Sequence, residues 1–511
     1  SEQAINLSNW TISDTKKSVR LPERNIAPGS YLVLTPNTTK SFSNTNSHLK
    51  LSSWPSLNND GDSLFLINSR GKTIHYLGYS DEWYRNSIKK HGGWSLEMID
   101  LNYPCTGKSN WTASTSFVGG TPGTTNSVAT DNPHRTPPRI QSIFAVNSYK
   151  IHISFDQALE YKVGSQAKIS LTPKLEIDTI YLPNPFLPVL TIELKDSLRR
   201  KTIYDISVSN LADCNGNLPM KGSLHTLVGL EQIADSGDLI INEILFNPAP
   251  LGVRFLELYN RSQKALNLKN WGLAVFEEET MVDYQVLSME NRMIYPMQYL
   301  ALTESPEKLI AQYPASIEAP VISIKKLPLR DRTEGSVVLI GPGGRVIDRL
   351  NYHKNMHHRL LIIDEGVSLE RANPDISGTD VNNWYSGSES TGYATPGLVN
   401  SQISVIPLNA SLEILPEIFS PMSSVFPSYA QISYTTKPGN SGSMRIYNQR
   451  GQLVKTLIRN ALLPSSGVFQ WDGSDEDGNR VPFGYYIVLL QTTGGLNGKN
   501  SWKKTLVVAP K

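Results

Sequence analysis

The chain has 511 residues, 18 % of them charged, and 48 Lys and Arg set against 46 Asp and Glu leave a net charge of +2. With no sustained basic stripe, this balance excludes a nucleic-acid or anionic-membrane footprint. No run of about 18 apolar residues occurs, so no segment reads as a membrane-spanning helix. The length accommodates roughly three to five domains, and 36 Gly and 32 Pro suit short strands and turns better than long helices.

Along the chain, residues 31–34, 63–67 and 336–340 are short apolar runs bounded by Gly, Pro, Asn or Asp, and they predict buried strands. Ser69-Arg70-Gly71 and Pro342-Gly343-Gly344 sit between paired runs and predict hairpin turns. The prolines of 131–138 mark a linker. Beyond it, 151–155 and 190–194 alternate with period two, 204–208 is a third strand, and 213–217 is a turn. The best helix is 305–312, with Ser305 as N-cap and Pro306 at its first position. Strands are expected in the last hundred residues at 444–448, 453–458, 485–490 and 504–508.

Residues 1–127 and 262–401 repeat one module. Ala4-Ile5-Asn6-Leu7-Ser8-Asn9-Trp10 matches Ala265-Leu266-Asn267-Leu268-Lys269-Asn270-Trp271, and Ser95-Leu96-Glu97 matches Ser368-Leu369-Glu370. Asn110-Trp111 answers Asn383-Trp384, Thr121-Pro122-Gly123 answers Thr395-Pro396-Gly397, and Asn126-Ser127 answers Asn400-Ser401. Repetition at this length signals a duplicated domain rather than a solenoid of short repeats. The repeated residues are turn, packing and edge residues, with no set of nucleophile, base and acid. The first copy has no counterpart of 239–260, so an open sheet edge is expected there, to be covered by residues upstream of residue 1 or by a partner strand.

Candidate chemistry is sparse. Asp475, Asp477 and Asn479 alternate like the start of a Ca²⁺ loop, but Gly484 stands where a bidentate Glu is needed, and a hairpin turn explains the same letters. Asn58–Asp62 reads the same way. His353, His357 and His358 carry metal-ligating nitrogens without a fixed third ligand type, and are read as an exposed polar loop. Glu243 and Glu257 are strand carboxylates expected to hydrogen-bond backbone or Arg groups rather than form an acid/base pair. The recurring tryptophans 10, 94, 111, 271 and 384 are read as sandwich core rather than a sugar platform. Cys105 and Cys214 allow at most one bridge, and two separate buried thiols are the preferred reading.

Ile241-Asn242-Glu243-Ile244, Glu257-Leu258-Tyr259-Asn260, Leu268-Lys269-Asn270-Trp271 and the motifs shared by both copies resemble the bacterial lamin-tail domain, an Ig-like β-sandwich. Pro137-Pro138 and Leu211-Ala212-Asp213-Cys214-Asn215-Gly216-Asn217 carry a resemblance to the SbsA-type Ig-like domain of bacterial surface proteins. Ile446-Tyr447-Asn448, Trp471-Asp472-Gly473, Asp477-Gly478-Asn479 and Gly484-Tyr485-Tyr486-Ile487 resemble the FlgD Ig-like domain and the C-terminal domains of type IX secretion substrates, although Phe419-Ser420-Pro421 replaces the usual opening of a sorting domain. These resemblances imply an all-β tandem array of four Ig-like β-sandwiches at 1–128, 133–230, 238–402 and 404–511, in a Bacteroidota-type exported protein. They imply a non-enzymatic scaffold at the extracellular or outer-membrane surface that binds outer-membrane or cell-surface proteins, with no cofactor other than the Ca²⁺ candidate. An accessory tail of a secreted hydrolase and a glycan- or Ca²⁺-dependent adhesin are the alternatives.

Overall fold

Short alternating runs pair into mainly antiparallel ladders, and the chain is all-β, built of Ig-like sandwiches. The structure is a computed structural model that describes all residues except 1, 15, 40–46, 104–106, 134, 161–165, 185–186, 220–222, 278–279, 330–331, 405–409, 424–426, 495–497 and 511. It divides into two compact units, Ser1–Leu230 and Glu231–Lys511.

In the first unit the first repeat copy forms a four-stranded sheet in the order Ser18–Arg20, Thr11–Ser13, Gly61–Ile67, Thr73–Ser80. Among the described residues the other strands of this copy form two-stranded pairs. Val33–Pro36 pairs in parallel with His48–Leu51, and Leu96–Met98 pairs antiparallel with Trp111–Ala113. Gly71 closes the predicted hairpin at φ +76°, a region open to Gly because it has no Cβ. The following sandwich sets a four-stranded sheet containing Lys150–Phe155 and Val189–Leu194 beside a three-stranded sheet containing Ile203–Ser209. Period-two alternation buries Ile151, Ile153 and Phe155 and turns His152 and Ser154 to the other face. Cys214 is disulfide-bonded, which corrects the expectation of separate thiols; sequence spacing carries no information about whether folding brings two sulfurs within bonding range. Cys105 lies outside the described residues.

In the second unit the second copy builds a continuous six-stranded sheet in the order Val321–Ser323, Tyr299–Thr303, Phe255–Asn260, Leu239–Leu245, Leu369–Arg371, Trp384–Ser386. A four-stranded sheet, Thr280–Val286, Gly272–Glu277, Glu334–Ile340, Val346–His353, covers it. Between them lies an apolar core that includes Ile244, Phe246, Trp271, Val337, Leu350, Leu369 and Trp384. The predicted helix spans Pro306–Gln312 and follows Ser305, which is extended and occupies the N-cap position without a side-chain capping hydrogen bond. Its Leu309 side chain is buried beside Phe255 and Tyr313. Residues 411–508 form a further sandwich of three-stranded and five-stranded sheets, with Trp471 set edge-on between Phe419 and Tyr486. Its strands run longer than the sequence indicated, Leu453–Leu462 and Gly484–Thr493 for example, because hairpin ladders continue through polar residues that hydropathy does not mark.

Candidate functional site

Three glutamates of the second copy meet on neighbouring strands. Glu257 pairs with Glu243 across the first ladder, and Glu243 pairs with Glu370 across the next, so the carboxylates form one row, and all three are fully buried. Burying a charge costs several kcal/mol unless it is well satisfied, and here the 395–402 loop supplies the partners. The Thr395 N–H donates to Glu243 at 2.8 Å and the Gly397 N–H to Glu257 at 2.5 Å. The Gln402 N–H and the Ser401 hydroxyl each donate to Glu370 at 2.8 Å, and the Asn242 amide donates to Glu257 at 2.7 Å.

The row does not hold three full charges. Burial, then the Glu370 charge, pushes Glu243 up to about 8. Burial also lifts Glu370 to about 7, and burial with the neighbouring Glu243 charge raises Glu257 well above the carboxylate range. A carboxyl with a raised folded-state pKa holds its proton more tightly folded than unfolded. Its contribution to stability is therefore full below the ordinary value of 4.5 and declines as pH rises through about 7 and 8. The Arg partner anticipated for Glu243 and Glu257 is engaged elsewhere: Arg371 pairs with Asp348 at 2.8 Å and donates to the Ile241 carbonyl. The sequence showed Ser-Leu-Glu only as a repeated motif; nothing local placed Glu370 beside the other two.

The first copy keeps one member of this row. Glu97, 4 % exposed, accepts from the Thr121 hydroxyl and from the Ser127 N–H and hydroxyl, each at 2.7 Å. Burial raises its pKa, but hydrogen bonds from Thr121, Ser127 and Ser114 outweigh burial and hold it below the ordinary carboxylate value.

The loop that satisfies Glu370 also ties the second copy to the C-terminal sandwich. Gln402, 1 % exposed, donates from its amide to the Leu463 carbonyl at 3.0 Å and accepts from the Gly439 N–H at 2.8 Å. Beside this junction lies a cleft of about 1000 Å³ lined by residues that include His353, His358, Tyr385, Asn440 and Gly494. The three histidines do not converge on a point. His353 faces Glu334 at 3.3 Å, His357 Nδ1 meets the Ser386 hydroxyl at 3.0 Å, and His358 Nδ1 accepts from the Leu360 N–H. His357 departs from the exposed-loop expectation: it is buried against the Phe246 ring, which holds it neutral near a pKa of about 4 through desolvation.

Asp475, Asp477 and Asn479 lie together in one turn. Asp475 Oδ1 accepts from the Asp477 and Asn479 N–H groups at 3.0 and 2.8 Å, with Gly478 at φ +82°. Among the described residues no group of three or more His, Cys, Asp or Glu gathers as a metal site. Asn58 donates to Asp62 in a similar turn. Trp271 and Trp384 are core, whereas Trp10 and Trp111 are half-buried and Lys89 lies over the Trp94 ring at 4.2 Å. No helix among the described residues is long and apolar enough to cross a membrane.

Paired sandwiches closed by buried carboxylates and loop amides define a class of Ig-like modules rather than an open catalytic centre. Residues 1–81 and 232–354 match the Lamin Tail Domain, and 428–495 match the FlgD Ig-like domain, together just over half of the chain. The chain thus carries two stretches that match the lamin tail domain and one near its C-terminus that matches the FlgD Ig-like domain. No curated protein matches it. Solved structures with some likeness include domains 1–6 of the bacterial surface layer protein SbsC, at 11 % identity over 74 % of this chain and 55 % of that one, with a TM-score of 0.17. Latent PorU from Porphyromonas gingivalis matches at 8 % identity over 79 % of this chain and 35 % of that one, TM-score 0.16. A Ca²⁺-stabilised adhesin of an Antarctic bacterium matches at 8 % identity over 100 % and 91 %, TM-score 0.13. The chain spans about half the length of the surface layer protein or less, and likenesses this weak say nothing about function.

Proposed function

We propose that this chain is a non-enzymatic scaffold at the cell surface or outside the cell, binding other proteins as a subunit of an outer-membrane assembly such as type IX secretion or gliding machinery. The observation that carries the reading is the sealed carboxylate row. The groups best suited to acid/base work, Glu243, Glu257 and Glu370, are fully buried, and their oxygens are engaged by the loop that closes the sandwich. Substrate has no path to them without unfolding that loop. Lamin tail and FlgD Ig-like domains in one chain support a role built on surfaces, and the cleft beside Gln402 offers one. The four-domain division at 1–128, 133–230, 238–402 and 404–511 belongs to the same proposal, as does Ca²⁺ at Asp475, Asp477 and Asn479. Affinity isolation of the tagged protein from solubilised envelopes tests it. Defined outer-membrane partners in constant ratio are expected; recovery as a free monomer with a hydrolase activity abolished by one acidic or histidine substitution overturns it.

A further inference from the structure

Two loops of the second copy, 247–252 and 359–366, leave the sandwich side by side and are tied at their bases. The Gly366 N–H donates to the Asn247 carbonyl at 2.8 Å, and the Asn247 amide donates to the Asp364 carboxylate at 3.1 Å. The Tyr313 hydroxyl donates to the Gly366 carbonyl at 3.1 Å, and a Cβ at Gly366 would come within 3.2 Å of the Ala249 methyl. Internal bonds fix each loop: the Gly252 N–H donates to the Ala249 carbonyl at 2.8 Å, and the Leu361 N–H to the His358 carbonyl at 3.0 Å. What these fixed loops hold out is aliphatic. Leu251 is 97 % exposed, Ile362 100 %, Ile363 66 % and Leu360 56 %.

Neither the module nor the backbone asks for these residues. Gly93 and Gly366, at φ +78° and +79°, mark the same turn of the two copies. Counting back from the Ser-Leu-Glu motif, Ile362 and Ile363 stand where the first copy has Lys89 and Lys90, so this connection does not require an apolar run. Leu251 takes φ +65°, a left-handed conformation that favours Gly or Asn and is costly for a residue with a Cβ. A leucine that is strained and gains no packing inside the fold points to a contact outside it.

We infer that Leu251 and the run 360–363 form an aliphatic wedge that enters the hydrocarbon of a lipid surface. Protein-binding hot spots favour Trp, Tyr and Arg over Leu, and 247–252 and 360–363 contain none of those three. Hydrocarbon, in contrast, accepts aliphatic side chains in any orientation. The charges fit the same occupant. Neither 247–252 nor 360–363 carries one, and the exposed Lys354 and Arg359 just before the run can meet lipid phosphates. Behind the run Asp364 is engaged by Asn247, which leaves Glu365 as the exposed acid. With no basic stripe in the chain, insertion rather than charge carries the contact. This property is separate from the protein-binding reading, and the purified chain suffices to test it.

The test floats the purified full chain with vesicles of phosphatidylcholine, alone and mixed with phosphatidylglycerol. Co-flotation with both is expected, stronger on the mixed vesicles through Lys354 and Arg359. Leu251→Asn and Ile362→Ser are each expected to weaken partitioning by about tenfold, and together to abolish it. Leu251→Asn should leave the melting midpoint unchanged or raise it, because Asn tolerates the left-handed backbone, so that lost binding is not lost folding. Val468→Ser, at an exposed aliphatic residue of the C-terminal sandwich, should float like the parent. A parent that floats with neither vesicle overturns the inference, as does flotation that both tip variants retain. Binding to the mixed vesicles alone, abolished by salt and kept by the tip variants, is adsorption by charge and overturns it too. Recovery of outer-membrane proteins with a tagged parent that does not float, lost in both tip variants, overturns the lipid assignment and gives the tips to a protein groove.

Discussion

The two copies of the lamin tail module share their turns, their tryptophans and one buried glutamate, yet they solve the problem of a buried carboxylate in opposite ways. In the first copy Glu97 stands alone among donors, and hydrogen bonds hold it ionised below the usual carboxylate range. In the second copy two extra strands bring Glu243 and Glu257 beside Glu370, and burial raises all three instead, with repulsion from a neighbouring carboxylate added at Glu243 and Glu257. One motif, Ser-Leu-Glu, thus acquires opposite proton chemistry from its neighbours in space. The balance of burial against donors decides the sign: at Glu97 the donated hydrogen bonds outweigh burial, whereas in the fully buried row burial outweighs the donors.

Core truncation should separate the copies most strongly. Trp384→Ala or Phe246→Ala removes a ring from the fully enclosed second core and is expected to cost about 3–5 kcal/mol by chemical denaturation. Trp111→Ala, at the half-buried equivalent in the first copy, should cost less than about half as much. Equal losses at Trp111 and Trp384 would mean that the first core is already closed.

Next in size is the response of the carboxylates to substitution. Glu97→Gln replaces an ionised acceptor with an amide that cannot accept from all of its donors, and is expected to destabilise the first copy by about 2 kcal/mol at pH 7. Glu243→Gln mimics the protonated form, so it should be close to neutral at pH 5 and should gain relative to the parent above pH 8. A Glu243→Gln variant less stable than the parent at every pH would sink the idea that the row is held protonated.

The pH profiles sharpen the same contrast without mutation. Second-copy stability, read from the slowest amides of Leu239–Leu245 and Leu369–Arg371, should decline as pH rises from 4.5 through about 7 and 8. First-copy stability should do the reverse around Glu97, present above its unfolded value of 4.5 and lost as pH falls through the depressed folded value. Parallel profiles in the two copies would remove the distinction.

Gln402 stands where the first copy has Val128. Gln402→Ala removes two buried hydrogen bonds to the C-terminal sandwich and should cost about 1–2 kcal/mol, seen as separate melting of 411–508 from the second copy. A single cooperative transition with an unchanged midpoint would show that the junction does not depend on Gln402. The smallest effect is expected outside both copies. Asp475→Ala should cost the C-terminal sandwich about 1 kcal/mol through its two lost turn bonds, and millimolar Ca²⁺ should raise the parent's midpoint but not the variant's. No Ca²⁺ shift in either protein would dismiss the ion.

Local rules carried much of this molecule. Asn9 and Asn270 both take φ +62° ahead of a tryptophan, and Pro306 opens the helix with its preset φ, because turn geometry and helix starts depend on a few adjacent residues. Alternation marked 151–155 as a strand, since a strand's two faces are written in every second residue. The repeat itself was legible for the same reason: its motifs are turn and edge signals. Tertiary structure alone decided the rest. Glu243 and its partner Thr395 are 152 residues apart, and only strand register puts Glu257, Glu243 and Glu370 in one row. Leu64 and Val337 are similar apolar letters at equivalent places, yet one is half-buried and the other fully buried, because burial depends on which strands arrive from elsewhere. The proton state of a glutamate follows from that arrival, not from the letters around it.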